Sequence, residues 1–232
     1  MRLSPRKILG ALLATTLLGS YSVAQAALVK TGTTVEYTIV NDGDLAAVGG
    51  SPFIVGDQLQ FVFNGFKATD INGGPPQFKN LTLTIEVRSI TSGNTLTNPS
   101  LYEEGDLMVL DTVPSINTFA RVFGQLSAAN QRPPNGLETD NFSFQENNTN
   151  FGGPWSISES LENVAGWGTD FIVLTFQNNL VASAILDDDI AFIEKKFAAI
   201  TVTAVPVPAA VWLLASALVP MAFLPKRMAR QA

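Results

Sequence analysis

Within the segment 81–90, residues 81–88 alternate strictly between apolar and polar side chains, and this pattern constrains the fold more than any other. The apolar positions are Leu81, Leu83, Ile85 and Val87. A period of two is typical of a strand with one buried face and one solvated face, as found in antiparallel sheets. The segment therefore predicts an antiparallel β fold.

Other segments share this β-forming composition, and clusters of Asn, Asp, Gly and Pro separate them. The predicted strands are 33–40, 58–66, 81–90, 170–177 and 199–204, with shorter candidates at 107–110, 120–124, 142–145 and 155–158. Helix is indicated weakly and only at 115–129 and 190–197. Seven to ten short strands predict an all-β domain over 27–204, with an antiparallel β-sandwich or jelly-roll architecture.

The composition excludes several kinds of chemistry. Cysteine and histidine are both absent from the 232 residues, so the chain has no disulfide, thiolate nucleophile, ordinary zinc site or Ser-His-Asp triad. All 20 acidic residues and eight of the 14 basic residues lie between the chain ends, so the body carries a formal −12 against −6 for the whole chain. Such a body repels nucleic acid, and we expect no nucleic-acid partner.

The first 26 residues predict a secretory signal peptide with a signal helix. Its basic part consists of Arg2, Arg6 and Lys7. The apolar run over 8–18 is too short to span the ~30 Å hydrocarbon core of a bilayer. Small residues surround the expected cleavage point, namely Ala24, Ala26 and Ala27. The alternative is an uncleaved N-terminal anchor.

A second apolar segment, 205–224, contains no charge and is long enough for a transmembrane helix. A basic tail follows, with Lys226, Arg227 and Arg230. The positive-inside rule places this tail in the cytoplasm and the body on the outer side of the inner membrane. This arrangement predicts a single-pass precursor, and a permanent anchor is the simplest alternative.

The start of this segment, V-P-V-P-A-A-V-W-L-L, resembles the PEP-CTERM sorting signals of Gram-negative bacteria, in the subtype written Val-Pro-Leu-Pro-Ala. The resemblance covers 205–232. It implies that a membrane protease, exosortase, processes the chain and that the mature protein is associated with exopolysaccharide and biofilm. The residues that it assigns to recognition are Val205, Pro206, Val207, Pro208 and Ala209.

These signals predict an exported protein whose body is first periplasmic and whose mature form lies at the cell surface or in the extracellular matrix. The expected partners are signal peptidase, an exosortase-type protease, the inner membrane and exopolysaccharide. The alternative function is a carbohydrate-binding β-sandwich module, with or without calcium. A matrix glycan hydrolase would need a pair of carboxylates. No motif singles out such a pair, and we predict that the chain is not an enzyme.

Two groups of residues are candidates for ligand binding in the body. Clustered carboxylates supply the oxygen ligands that calcium prefers, and the best such cluster is Asp187, Asp188 and Asp189. Trp155 and Trp167 lie beside glycine-rich loops, where an exposed indole face stacks on a sugar ring. The alternatives are a solvated turn for the aspartates and core packing for the tryptophans.

Overall fold

A computed structural model of the chain describes residues 27–113, 118–130, 136–147 and 151–207, together with Ser216. These residues form fourteen strands, one short α-helix, α1 (Asp42–Ala47), and a 3₁₀ turn (Val164–Trp167). The strands are β1 (Leu28–Thr31), β2 (Val35–Ile39), β3 (Gly50–Val55), β4 (Gln58–Phe63), β5 (Lys67–Ile71), β6 (Gln77–Ser89), β7 (Asn94–Leu96), β8 (Ser100–Leu110), β9 (Phe119–Asn130), β10 (Gly136–Glu146), β11 (Phe151–Ser160), β12 (Phe171–Ser183), β13 (Ile190–Thr201) and β14 (Ala204–Pro206).

The strands form two large sheets that pack face to face as a sandwich. The first sheet has the order β1-β2-β6-β12-β9-β10. The second has the order β11-β8-β13-β4-β3, and β5 also pairs with β13. The remaining strands, β7 and β14, form a small ladder of their own. Neighbouring strands are antiparallel, as in the pairing of β12 with both β6 and β9.

The structure confirms the prediction of an antiparallel β-sandwich. The alternating segment that carried this prediction forms the C-terminal part of β6, and its apolar side chains lie in the core. Each sheet is solvated on its outer face, so the inner faces alternate with outward polar residues along most strands. Hydrophobic burial between the sheets supplies the main stabilisation of this disulfide-free domain.

Two details of the prediction are wrong. The strands are longer and more numerous than seven to ten, and the two segments with weak helical character form β9 and β13 instead. In β13 the register shifts between Lys195 and Phe197, so its buried positions change phase halfway along. This bulge joins two period-two patterns and imitates helical spacing in the sequence. In β9, alanines that favour helix are overridden by pairing with β10 and β12.

The predicted signal helix, at 1–26, and most of the predicted transmembrane segment lie outside the described residues. Among the residues that the structure does describe, no helix is long and apolar enough to cross a bilayer.

Candidate functional site

Three polar side chains meet in the core between the two sheets, and we call them the core triad: Lys195, Glu103 and Asn178. Lys195 lies on β13 and Glu103 on the adjacent strand β8, both in the second sheet. Asn178 lies on β12 in the first sheet. All three residues are fully buried. Buried polar groups of this kind are rare in sandwich cores and require mutual hydrogen bonds.

Glu103 is the centre of the triad. The Asn178 side-chain amide donates hydrogen bonds to both carboxylate oxygens, at 2.8 Å to Oε1 and 2.7 Å to Oε2. Lys195 Nζ donates to the same Oε1 and forms an ion pair with Glu103. The other end of the amide, Asn178 Oδ1, is buried and has no hydrogen-bond partner among the described residues. The triad is therefore one polar group short of complete satisfaction.

Three phenyl rings surround the lysine amine. The distance from Lys195 Nζ to the ring centroid is 4.5 Å for Phe176, 5.5 Å for Phe63 and 5.7 Å for Phe66. Burial lowers the pKa of Lys195 to about 8, although the nearby Glu103 carboxylate opposes this shift. Burial also raises the pKa of Glu103, against the effects of Lys195 and Asn178. Both shifts favour the uncharged amine and the uncharged acid relative to water.

The bulge in β13 and a glycine on β8 allow this arrangement. Gly105 is the register partner of Lys195. A Cβ atom at Gly105 would lie 1.9 Å from the carbonyl oxygen of Glu194 and 2.8 Å from the indole nitrogen of Trp155. Only glycine therefore permits the two strands and the indole to approach so closely beside the triad.

A second polar site lies at the open side of the sandwich, where the edge strands β10 and β11 face each other. We call it the edge cleft. Its volume is about 600 Å³, and its lining includes Tyr102, Glu138, Asp140, Ser158, Glu159 and Asn163. The lining combines carboxylates, hydroxyls, an amide and one aromatic ring, which are the groups that proteins use to bind sugars.

Two carboxylates of the edge cleft, those of Glu159 and Asp140, interact with each other. Burial raises the pKa of Glu159, and its charge repulsion and hydrogen bond with Asp140 raise it further. Glu138 instead accepts hydrogen bonds from the backbone and side-chain nitrogens of Asn163, both at 2.9 Å.

Neither predicted sugar-stacking tryptophan is well placed for that role. Trp155 is buried, and its indole N–H donates to the carbonyl of Glu194 at 3.2 Å. Trp167 is half-buried in the 3₁₀ turn, where its ring packs against the core and covers Gly136. Both tryptophans therefore pack in or against the core, which is the alternative to sugar stacking given by the sequence analysis. The aromatic side chain at the edge cleft is Tyr102, which is 37% exposed. Tyr102 lies in the middle of β8 and not beside a glycine-rich loop, so the pattern that selected the two tryptophans does not select it.

The predicted calcium cluster is divided by the fold. Asp187 and Asp188 are exposed, whereas Asp189 is buried. Asp189 accepts hydrogen bonds from the Thr112 backbone and hydroxyl at 3.0 Å, the Thr118 hydroxyl at 2.8 Å and the Leu186 backbone at 3.1 Å. Its oxygens therefore close a turn. The described residues contain no group of three acidic side chains arranged to hold a metal ion.

The predicted sorting motif begins inside the folded domain. Val205 and Pro206 belong to β14, where they face Thr95 and Asn94 of β7. Val207 follows, and its N–H donates to the carbonyl of Gly93 at 3.3 Å. Pro208, Ala209 and the basic tail residues Lys226, Arg227 and Arg230 lie outside the described residues, as do Ala24 and Ala26 of the predicted cleavage site.

No protein-family model matches this chain, and no curated protein sequence matches it either. The enzymatically active domain of tailspike protein 4 from bacteriophage CBA120 shares 13% identity over 73% of this chain, with a TM-score of 0.23. The chain spans 19% of that tailspike chain. A family 16 carbohydrate-binding module shares 10% identity over 66% of this chain and 87% of its own, with a TM-score of 0.20. Likenesses this low define neither the fold nor the function of the chain.

Proposed function

We propose that this chain is an exported cell-surface or extracellular-matrix protein whose C-terminal segment is a sorting signal for an exosortase-type membrane protease. The observation that best supports the proposal is the junction between the domain and the motif. The small ladder of β7 and β14 already includes Val205 and Pro206 of the motif, and Val205 is 42% exposed at the surface of the domain. A processing enzyme would therefore meet the motif directly at the boundary of a folded body.

The charge distribution supports the same topology. The body carries all of the acidic residues, and the basic tail follows the apolar segment at once. Acidic groups oppose binding of the body to an anionic membrane surface, whereas the tail favours the cytoplasmic side. In this proposal the precursor contacts signal peptidase, the inner membrane and the protease in turn, and the mature domain then associates with exopolysaccharide.

The experiment is to express the full chain in a Gram-negative host that contains an exosortase and in the same host with that gene deleted. Mass spectrometry of the exported protein should find its N-terminus at Ala27 in both hosts. The apolar segment and basic tail should be lost only where the protease is present. A complete C-terminus at the surface of the exosortase-containing host would contradict the proposal and indicate a permanent anchor.

Motif variants make this test specific. Replacing Pro206 and Pro208 together by alanine should stop C-terminal processing, because proline keeps the peptide extended before the membrane helix. The matched control replaces Pro75 and Pro76, which lie in an exposed turn of the body. Processing of the control should equal that of the wild type.

A second candidate function is glycan binding by the edge cleft, and the exposed ring of Tyr102 beside the polar lining favours it. Tyr102→Ala should reduce retention of the protein on matrix exopolysaccharide, because aromatic faces stack on sugar rings. The control is Phe78→Ala, which removes an aromatic ring that is 64% exposed on β6. Equal retention of the wild type and Tyr102→Ala, with and without calcium, would contradict this role.

A further inference from the structure

The core triad contains a primary amide in addition to the amine and the carboxylate that a structural ion pair requires. An amine from one sheet and a primary amide from the other both bind the same buried carboxyl group, away from solvent. We propose that Lys195 and Asn178 become joined by an intramolecular isopeptide bond between Lys195 Nζ and Asn178 Cγ, with Glu103 as the catalytic residue. This inference is independent of the sorting function proposed above.

The lysine amine and the asparagine amide both donate a hydrogen bond to one oxygen of the Glu103 carboxyl group. Glu103 Oε1 accepts a hydrogen bond from Lys195 Nζ and another, at 2.8 Å, from Asn178 Nδ2. The nucleophile and the leaving group therefore share a single proton carrier. Two groups that the fold already holds together do not have to meet in solution before they react. The entropic cost of that encounter is a large part of the barrier for amide formation, and the fold removes it.

The surroundings favour the reactive form of the lysine. An amine attacks a carbonyl carbon only when it has lost its proton, and apolar surroundings promote that loss. The rings of Phe63, Phe66 and Phe176 surround Nζ, and Glu103 is the acceptor for the proton. The lowered pKa of Lys195 and the raised pKa of Glu103 agree with this transfer. Because the site is buried, water does not compete for the amide carbon.

The reaction balances without any outside reagent. Glu103 first takes one proton from the Lys195 ammonium, which leaves a neutral amine and a neutral acid. The amine lone pair then forms the bond from Nζ to Asn178 Cγ, and the carbonyl electrons move to Oδ1. Glu103 gives its proton to Nδ2 and receives one from Nζ. The carbonyl re-forms as the bond from Cγ to Nδ2 breaks. The products are a secondary amide, a protonated Glu103 and one ammonia molecule.

The unsatisfied oxygen of Asn178 is consistent with a reactive group. A buried polar atom that lacks a partner within the described residues is uncommon, and a catalytic role is one of the physical explanations for it. After reaction, the amide would link β12 of the first sheet to β13 of the second. The chain has no cysteine with which to make such a link by a disulfide. An isopeptide bond would give an exported domain a cross-link that reducing agents do not break.

The first test is the mass of the full chain after export and purification. The denatured protein should be lighter than its sequence by the mass of one ammonia molecule. A glutamate-specific protease, which cuts after Glu162 and Glu194, releases Asn178 and Lys195 on separate peptides. These peptides should remain linked, and tandem mass spectrometry should place the link at the two side chains. An unchanged mass with separate peptides would overturn the proposal, and so would loss of water with a link from Lys195 to Glu103.

Variants test the role of each group. Glu103→Gln should leave the chain unlinked and at full mass, because glutamine does not carry the proton. Lys195→Arg should also remain unlinked. The matched control is Lys196→Arg, an exposed neighbour paired with Asp106, and it should form the link as fully as the wild type. A linked Glu103→Gln protein would overturn the catalytic role. If a triad variant fails to fold, the mass of the wild type still decides whether the bond exists.

Discussion

The hydroxyl of Tyr37 joins two distant segments of the chain inside the sandwich. It accepts a hydrogen bond of 3.0 Å from the backbone N–H of Val202 and donates one of 2.5 Å to the carbonyl of Asp57. Val202 lies between β13 and β14, just before the predicted sorting motif. Burial raises the pKa of Tyr37 well above its ordinary value, so the hydroxyl keeps its proton at physiological pH. This side chain therefore helps to hold the end of the domain against β2.

We predict that Tyr37→Phe lowers the free energy of unfolding by about 2 kcal/mol, because it leaves buried backbone groups without their partner. Urea denaturation monitored by tryptophan fluorescence measures the change. The control is Tyr102→Phe, which removes an exposed hydroxyl bonded to Glu104 and should cost no more than about 0.5 kcal/mol. Equal losses in the two variants would contradict the bridging role of Tyr37.

Asp189 should make the domain sensitive to acid. Burial alone would raise the pKa of Asp189, but hydrogen bonds from Thr112, Thr118 and Leu186 lower it to about 2. The ionised side chain therefore contributes stability that is complete above the unfolded pKa of about 3.9 and disappears as pH falls through 2. Asp189→Asn should lower the free energy of unfolding by about 2 kcal/mol at pH 7, and the difference should shrink below pH ~4.

The matched control for this change is Asp188→Asn. Asp188 is exposed, and its φ of 76° is one that asparagine tolerates. The free energy of unfolding of the Asp188→Asn variant should equal that of the wild type across the pH series. The measurement is urea unfolding over a series of pH values. A constant difference between Asp189→Asn and the wild type across the series would argue against the ionised carboxylate as the source of stability.

Gly105 should tolerate no side chain, because an added Cβ would lie 1.9 Å from a backbone oxygen on β13. Gly105→Ala is expected to cost about 3 kcal/mol in unfolding free energy, at the upper end of ordinary overpacking, since strands β8 and β13 must separate. Gly166→Ala is the control, because nothing lies within 4 Å of its added Cβ. Thermal unfolding distinguishes the two, and similar melting temperatures would contradict the close approach.

The carboxyl pair in the edge cleft should have the opposite pH dependence from Asp189. The pKa of Glu159 is raised by burial and by Asp140, so the folded state holds the proton more tightly than the unfolded state. Ionisation therefore costs stability once pH exceeds the unfolded value of about 4.3. Glu159→Gln should stabilise the domain by about 0.5 kcal/mol at pH 7, a small effect because the groups are partly solvated.

This stabilisation should vanish below pH ~4, where the wild-type carboxyl is protonated in both states. Glu162→Gln, at an exposed carboxylate in the same cleft, serves as the control for general removal of negative charge. If both variants stabilise the domain equally, the effect belongs to the net charge and not to the pair of Glu159 and Asp140.

Local patterns in the sequence predicted much of the β structure. The alternation in β6 is a property of neighbouring residues, because successive side chains of a strand point to opposite faces. The same rule failed for β13, since a bulge changes the phase of its buried positions at Lys195. Bulges depend on the partner strand, and the sequence of one strand does not reveal them.

The candidate site depended on contacts that are distant in the sequence. Glu103 lies 92 residues from Lys195 and 75 residues from Asn178, so no local pattern in the sequence connects the three residues. Strand alternation turns Glu103 into the core and Glu104 towards solvent. Trp155 and Asp189 also bind residues that are remote in the sequence. The Trp155 indole donates a hydrogen bond to Glu194, and Asp189 accepts one from Thr118.

Composition and short-range periodicity were enough to establish the β class of the body, to exclude cysteine and histidine chemistry, and to locate the acidic charge between two apolar, basic-flanked ends. The buried site shared by a lysine, a glutamate and an asparagine from three strands became apparent only in the folded chain. The physical reason is that strand pairing and sheet packing select partners across the whole chain, and burial then sets the reactivity of the groups that they bring together.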